Sequence, residues 1–283
     1  MTKLRNAATV VLLRPAEDSF EVFMLRRHRG HDFMAKVWVF PGGALDERDL
    51  VPEIEEVIDD GDYTALGLRV AAIRETFEES GLLLAHRRGQ DTTIALDDED
   101  LAKQIETLRQ GVDGGEIGMV EVCECENLVL DVDSLGYLAH WITPHFESRR
   151  YDTHFFVAPA PPKQLASHDD AETTNSAWWS PQEALAKYRN EEILLAPPTI
   201  RVLEELTDFS SLSELLNDLD RRPAPPAILP HAVGLDSDEL VLLLPGDPDY
   251  PADDPRLADA TPIKSGITRM VRRDGQWWSA EQH

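Results

Sequence analysis

Residues 74–82 read Arg74-Glu75-Thr76-Phe77-Glu78-Glu79-Ser80-Gly81-Leu82, and upstream of them stands Phe40-Pro41-Gly42-Gly43. Glu75, Glu78 and Glu79 fall at i, i+3 and i+4, so on a helix they share one narrow arc and can converge on a hard divalent cation. Gly81 stands where a helix takes a left-handed closing residue, which ends the helix just past the last carboxylate. Leu66, Val70, Ile73 and Phe77 recur at helical spacing on a separate stripe. One face of this helix is expected to pack on a sheet while the other presents its acids.

Outward from the helix, residues 6–13 and 21–27 are rich in Val, Leu and Phe around a polar turn, and read as a strand pair. Residues 37–40 make a third strand, closed by Pro41-Gly42-Gly43. The stretch from Asp46 to about residue 63 carries Pro52, Gly61 and an acidic run, so it reads as a surface insertion, with helix resuming near Thr64. A second polar stretch, 87–116, holds an amphipathic helix around Leu101, Ile105 and Leu108 and is expected to act as a cap or a substrate-selecting insertion. Residues 128–142 and 151–157 return to strand-like composition. Ser180-Pro181-Gln182-Glu183 is a capping box with proline at the first helical position, and helical stretches follow at 199–206 and 212–219.

Beyond Arg222 the composition turns to proline and aspartate, but 239–244 and 267–278 are strand-like, with Asp274-Gly275 as a turn signal. The expected organisation is a main domain over 1–222, with insertions at about 46–63 and 87–116, and an extension over 223–283. That extension reads either as a small β appendage packed on the main domain or as a dimerisation element that would make a homodimer.

The chain has 283 residues and carries 53 acids against 27 bases, a formal net charge of -26. This disfavours a nucleic-acid partner, because binding phosphate backbones depends on clustered Lys and Arg. A phosphate-cleaving role survives the acidity if bound divalent ions supply local positive charge. No apolar run approaches the length of a bilayer span, so no membrane partner is expected, and the N-terminal residues lack a secretory cleavage pattern. The expected location is cytoplasmic. Cys123 and Cys125 fit neither a disulfide framework nor a zinc site. His28, His31, His140, His145, His154 and His168 show no triad or ligand spacing.

The box resembles that of the Nudix hydrolases, G-x5-E-x7-R-E-U-x-E-E-x-G-U with U a bulky aliphatic residue. Gly43, Arg74, Glu75, Glu78, Glu79, Gly81 and Leu82 match it. Asp49 replaces the first glutamate and Thr76 the aliphatic, and Gly43 to Arg74 spans 31 positions where the pattern gives 14, leaving 17 extra residues. Trp141-Ile142-Thr143-Pro144, Arg149-Arg150-Tyr151-Asp152-Thr153 and Leu195-Ala196-Pro197-Pro198-Thr199 extend the likeness to the peroxisomal acyl-CoA diphosphatase branch, over roughly residues 6–210. Members of that branch carry an insertion inside the box and hydrolyse CoA and its thioesters to 3',5'-ADP and a phosphopantetheine.

The resemblance implies an α+β fold, a Nudix α/β/α sandwich on a mixed β-sheet with helical insertions and a C-terminal β-containing extension. It also implies Mg2+ or Mn2+ as cofactor, a small-molecule nucleotide-diphosphate substrate, and attack of activated water on one phosphorus. Glu78 and Glu79 are the expected metal ligands, with Glu75 a third ligand or the group that takes the proton. Arg74 would hold a glutamate carboxylate in place. The Gly42 carbonyl and Glu172 are further candidate ligands. Arg26, Arg27, Arg149 and Arg150 are candidates for substrate phosphates, since guanidinium pairs bidentately with phosphate. Trp178 and Trp179 could stack on a base, although one is expected in the core. The alternative substrates are ADP-ribose, a dinucleotide or a nucleotide sugar. A Nudix-fold binding or regulatory module without turnover is the alternative of another class.

Overall fold

Leu4–Pro15 forms β1, whose side chains are buried on both faces: Ala8, Val10 and Leu12 enter one core, Val11 and Leu13 another. That double burial explains why this stretch reads as a nearly continuous apolar run rather than as an alternating one. The structure is a computed structural model that describes residues 3–17, 19–27, 37–50, 63–167, 173–235, 239–254, 257 and 266–281.

Among the described residues β1 is the middle of a nine-stranded mixed sheet. Its C-terminal end pairs antiparallel with β2 (Phe20–Arg27), and its N-terminal end pairs antiparallel with β4 (Gly42–Ala44). Its other edge runs parallel to β8 (Arg150–Pro159) from Leu4 to Leu13. Beyond β8 lie β7 (Gly136–Ile142) and then β11 (Ala227–Ile228). On the β2 side lie β3 (Val37–Val39), β10 (Leu194–Leu195) and β9 (Thr173–Trp179).

Helix α1, Tyr63–Ser80, packs Val70, Ile73 and Phe77 onto one face of this sheet, together with α2 (Glu99–Asp113) and α3 (Met119–Glu126). Its closing glycine is as expected: Gly81 has φ +71° and its amide donates to the Phe77 carbonyl at 3.0 Å. The threonine at the aliphatic position is tolerated because Thr76, fully buried, donates its hydroxyl to the Ala72 carbonyl at 2.7 Å. On the opposite face lie α4 (Pro181–Arg189), α5 (Pro197–Leu206) and α6 (Leu212–Leu219). Ser180 caps α4 by accepting from the Glu183 amide at 3.1 Å. The result is the expected α+β sandwich of helices, mixed sheet and helices.

A short pair, β5 (Ala85–Arg87) with β6 (Leu128–Leu130), flanks α3. The C-terminal strands β12 (His231–Val233), β13 (Leu240–Leu243), β14 (Ile267–Arg273) and β15 (Gln276–Glu281) make a separate antiparallel sheet. Asp274 and Gly275, with φ of 50° and 81°, form the tight turn between the last two. Leu242, Leu244 and Met270 of this extension share a core with Val11, Leu138 and Leu203, so it packs on the main sheet. Cys123 is buried and Cys125 exposed, and both are free. Among the described residues no helix is long and apolar enough to cross a membrane.

Candidate active site

Helix α1 carries its acids to a cleft of about 720 Å³, where Glu75, Glu78 and Glu79 face the glycine strand β4. Arg74 organises them from within the protein. Its Nε and Nη2 donate to the two carboxylate oxygens of Asp49 at 2.9 and 3.0 Å, and Nη2 also donates to the Ala44 carbonyl at 3.0 Å. Nη1 donates to Glu75 Oε1 and to Glu78 Oε2, both at 2.9 Å. Glu79 is held differently, by the Gly42 amide, which donates to its Oε2 at 2.9 Å.

Burial raises the Glu78 carboxyl, and with the negative charges of Glu75 and Asp113 overriding the attraction of Arg74 it is pushed up to about 8. Burial would lower Arg74, yet the hydrogen bonds of Asp49 and the charges of Glu75, Asp49 and Glu78 raise it above its ordinary value.

In sequence Asp49 is only a departure from the box, inside a segment expected at the surface. In the structure it sits in a 3-10 turn, Glu47–Leu50, with 2% exposure, and also accepts from the Asp46 amide at 2.9 Å. The shorter acid therefore provides the bidentate partner of Arg74. The insertion begins with a turn that belongs to the site, and its residues 51–62 lie outside the described ones. The second insertion supplies α2, whose Arg109 donates from Nε to the Glu78 carbonyl at 3.0 Å and whose Asp113 lines the cleft.

Gly43 makes close approach possible, because a methyl group there would overlap the Glu75 carboxylate. Gly42 is packed against the Ala8 carbonyl and Thr9 of β1. Of the candidate phosphate ligands, Arg27 and Arg149 line the cleft. Arg26, on the alternate face of β2, lines a separate groove with Trp38 and Trp179. Arg150 donates to the Thr143 carbonyl at 3.0 Å and does not line the cleft. Glu172 lies outside the described residues. Trp178 packs on Phe23 and under Arg14, and Trp179 packs on Trp38, so neither lines the cleft.

The cleft's far wall carries no local signal in the sequence. It comes from the C-terminal sheet, through Leu240, Leu242, Arg272 and Trp277. Thr143, Pro144, Phe146, Pro197 and Pro198 complete an apolar side. Among the described residues no ion pair engages the guanidinium of Arg27, Arg149 or Arg272.

The NUDT19 Nudix domain matches residues 59–206, just over half of the chain. The chain is a Nudix hydrolase of the NUDT19 family. Similar proteins include the acyl-coenzyme A diphosphatase NUDT19 of Gallus gallus, 29% identical over 94% of this chain and 85% of that protein. The protein of the same name from Xenopus laevis is 28% identical over 83% of this chain and 72% of its own length. A solved NUDIX hydrolase from Alicyclobacillus acidocaldarius superposes with a TM-score of 0.66 at 25% identity, covering 80% of this chain and 100% of that one.

Nudix hydrolases in general act with divalent metal ions, and the donor set of this one fits such an ion. Hard carboxylate oxygens line one wall, and the burial and repulsion that raise Glu78 are both offset by a bound cation.

Proposed function

We propose that this Nudix hydrolase cleaves the diphosphate of CoA or acyl-CoA, giving 3',5'-ADP and phosphopantetheine or its acyl derivative. The observation that carries the reading is the composition of the cleft: three box glutamates, three arginines and an apolar wall border one volume. A CoA thioester presents a diphosphate, a third phosphate and an apolar arm, which match these in turn. The names of the Gallus gallus and Xenopus laevis relatives support the same substrate class.

Glu75, Glu78 and Glu79, with the Gly42 carbonyl, would hold Mg2+ or Mn2+. When bound, the ion supplies charge neutralisation at the phosphoryl oxygens and an acidified water. The chain's own residues set the geometry for this. Asp49 fixes Arg74, Arg74 fixes the facing oxygens of Glu75 and Glu78, and the Gly42 amide fixes Glu79. Glu75, beside the close approach allowed by Gly43, is the acceptor for the water's proton or a third ligand. Arg27, Arg149 and Arg272 bind phosphates of the substrate. The division into a Nudix domain over 1–222 and an extension over 223–283 belongs to the same proposal, with the extension shaping the substrate cleft.

The test is an assay with Mg2+ or Mn2+ against CoA, acyl-CoAs, ADP-ribose, NADH and nucleotide sugars, with products identified by mass. Release of 3',5'-ADP that is abolished in Glu78→Gln and Glu79→Gln, and by a chelator, supports the reading. Turnover of ADP-ribose without turnover of CoA overturns it.

A further inference from the structure

Across the sheet from the cleft, Asp152 and His154 of β8 alternate with Tyr151, Thr153 and Phe155, which line the cleft. His140 of β7 stands directly opposite His154 in the antiparallel register, and the two rings stack with centroids 4.2 Å apart. His140 Nε2 is in direct contact with Asp152 Oδ1, and His154 Nε2 lies 3.7 Å from the same oxygen. One ligand atom from each of the three residues falls within 4.8 Å of the others. Among the described residues this is the one trio of His, Cys, Asp or Glu gathered so closely, and the box glutamates are not part of it.

We propose that His140, Asp152 and His154 form a second metal site, for a transition-metal ion of the zinc class, on the sheet face opposite the diphosphate cleft. Two imidazoles and one carboxylate suit zinc-class ions, whereas the all-oxygen donors of the cleft suit Mg2+ or Mn2+. Bonds of about 2.0–2.1 Å to a tetrahedral ion put ligand atoms roughly 3.3 Å apart. His154 and Asp152 are already near that spacing, and His140 need only part slightly from Asp152. All three side chains are half-buried, so each keeps some contact with solvent.

The surroundings orient the ligands. A β-bulge between Tyr137 and Ala139 shifts the alternation of β7, so Tyr137 and His140 share a face although three residues apart. Tyr137 Oη lies 2.6 Å from His154 Nδ1. When Nδ1 donates to this hydroxyl, Nε2 keeps its lone pair for the ion, the usual arrangement of a ligating histidine.

The experiment titrates the full chain with Co2+ and follows visible d–d absorption, with equilibrium dialysis for stoichiometry. The expected result is one equivalent with nitrogen-ligand bands, displaced by Zn2+ and additional to any Co2+ held by the cleft carboxylates. Those bands are kept in Glu78→Gln and lost in His140→Gln, His154→Gln and Asp152→Asn, each checked for folding by circular dichroism. Tyr137→Phe should weaken binding about 10–100-fold without changing the stoichiometry. Absence of nitrogen-ligand bands in the unmodified chain, or bands and stoichiometry indifferent to both histidine substitutions, overturns the proposal. In the first case the trio is only a hydrogen-bonded cluster. Because the readout is spectral, it stands or falls separately from the choice of diphosphate substrate.

Discussion

Asp49→Ala tests the claim that Arg74 is a buried organiser of the carboxylates. Arg74 makes five hydrogen bonds, two of them to Asp49, and the side chains of the pair are 8% and 1% exposed. Truncating one partner of a buried ion pair costs about 3–5 kcal/mol, since the remaining charge is stranded. Glu75 and Glu78 stay beside Arg74 and keep most of its charge compensated, so the lower end, about 3 kcal/mol, is expected. At about 2–4 °C per kcal/mol for a domain of this size, the melting temperature should fall by about 6–12 °C.

Asp49→Asn, which retains one acceptor oxygen, should lose roughly half as much. Asp49→Glu restores the acid of the family pattern but adds a methylene to a filled site, at about 1–3 kcal/mol. Thermal unfolding by circular dichroism at pH 7 measures all three, alongside turnover. Activity should fall more than stability in Asp49→Ala, because a released Arg74 neutralises Glu75 and Glu78 more strongly. A melting temperature within about 2 °C of the unmodified protein would refute the reasoning.

Gly43→Ala should leave the melting temperature nearly unchanged while lowering kcat about 100-fold, because the added methyl displaces only the flexible end of Glu75. Gly42→Ala, whose methyl meets β1 backbone, should instead destabilise by about 1–3 kcal/mol in denaturant titration. Arg272→Ala should raise KM for the diphosphate substrate about 10–100-fold with kcat largely kept, as expected for loss of one charge-assisted contact.

In the C-terminal sheet, burial would raise Asp247, but Arg269, the Thr268 hydroxyl and the Asp249 amide override it and hold the carboxyl below the usual range. Its stabilisation is then full above the ordinary carboxylate value of 3.8 and is lost as pH falls below that value through the folded one. Asp247→Asn should flatten the acid limb of stability against pH in that window, which acid titration of tryptophan fluorescence would show.

What was legible in the sequence was whatever local chemistry decides: the acidic arc and apolar stripe of α1, its closing Gly81, the Ser180 cap and the Asp274-Gly275 turn. Non-local pairing hid the rest. Asp49 meets Arg74 across 25 positions of chain, and the spacing of a stretched box gives no hint that a 3-10 turn folds back onto the helix. Arg272 and Trp277 reach the cleft only because the second sheet docks on the first, through contacts spread over Leu242, Leu244 and Met270. His140 and His154 have no ligand spacing along the chain, since strand register brings them together and a bulge sets which face they share. Arg26 and Arg27 looked equivalent in sequence, yet neighbours on a strand point to opposite faces, so Arg27 alone lines the cleft.

The parallel pairing of β1 with β8 has a consequence for biosynthesis. The partner that runs along β1 from Leu4 to Leu13 ends at Pro159, so a ribosome must deliver more than half of the chain before the centre of the sheet can close. Until then the emerging polypeptide carries an apolar strand with an unpaired edge, the kind of surface that recruits other chains. Fragments that stop before residue 150 should therefore aggregate, and long-range closure of this kind makes slow folding the expected behaviour of the complete chain.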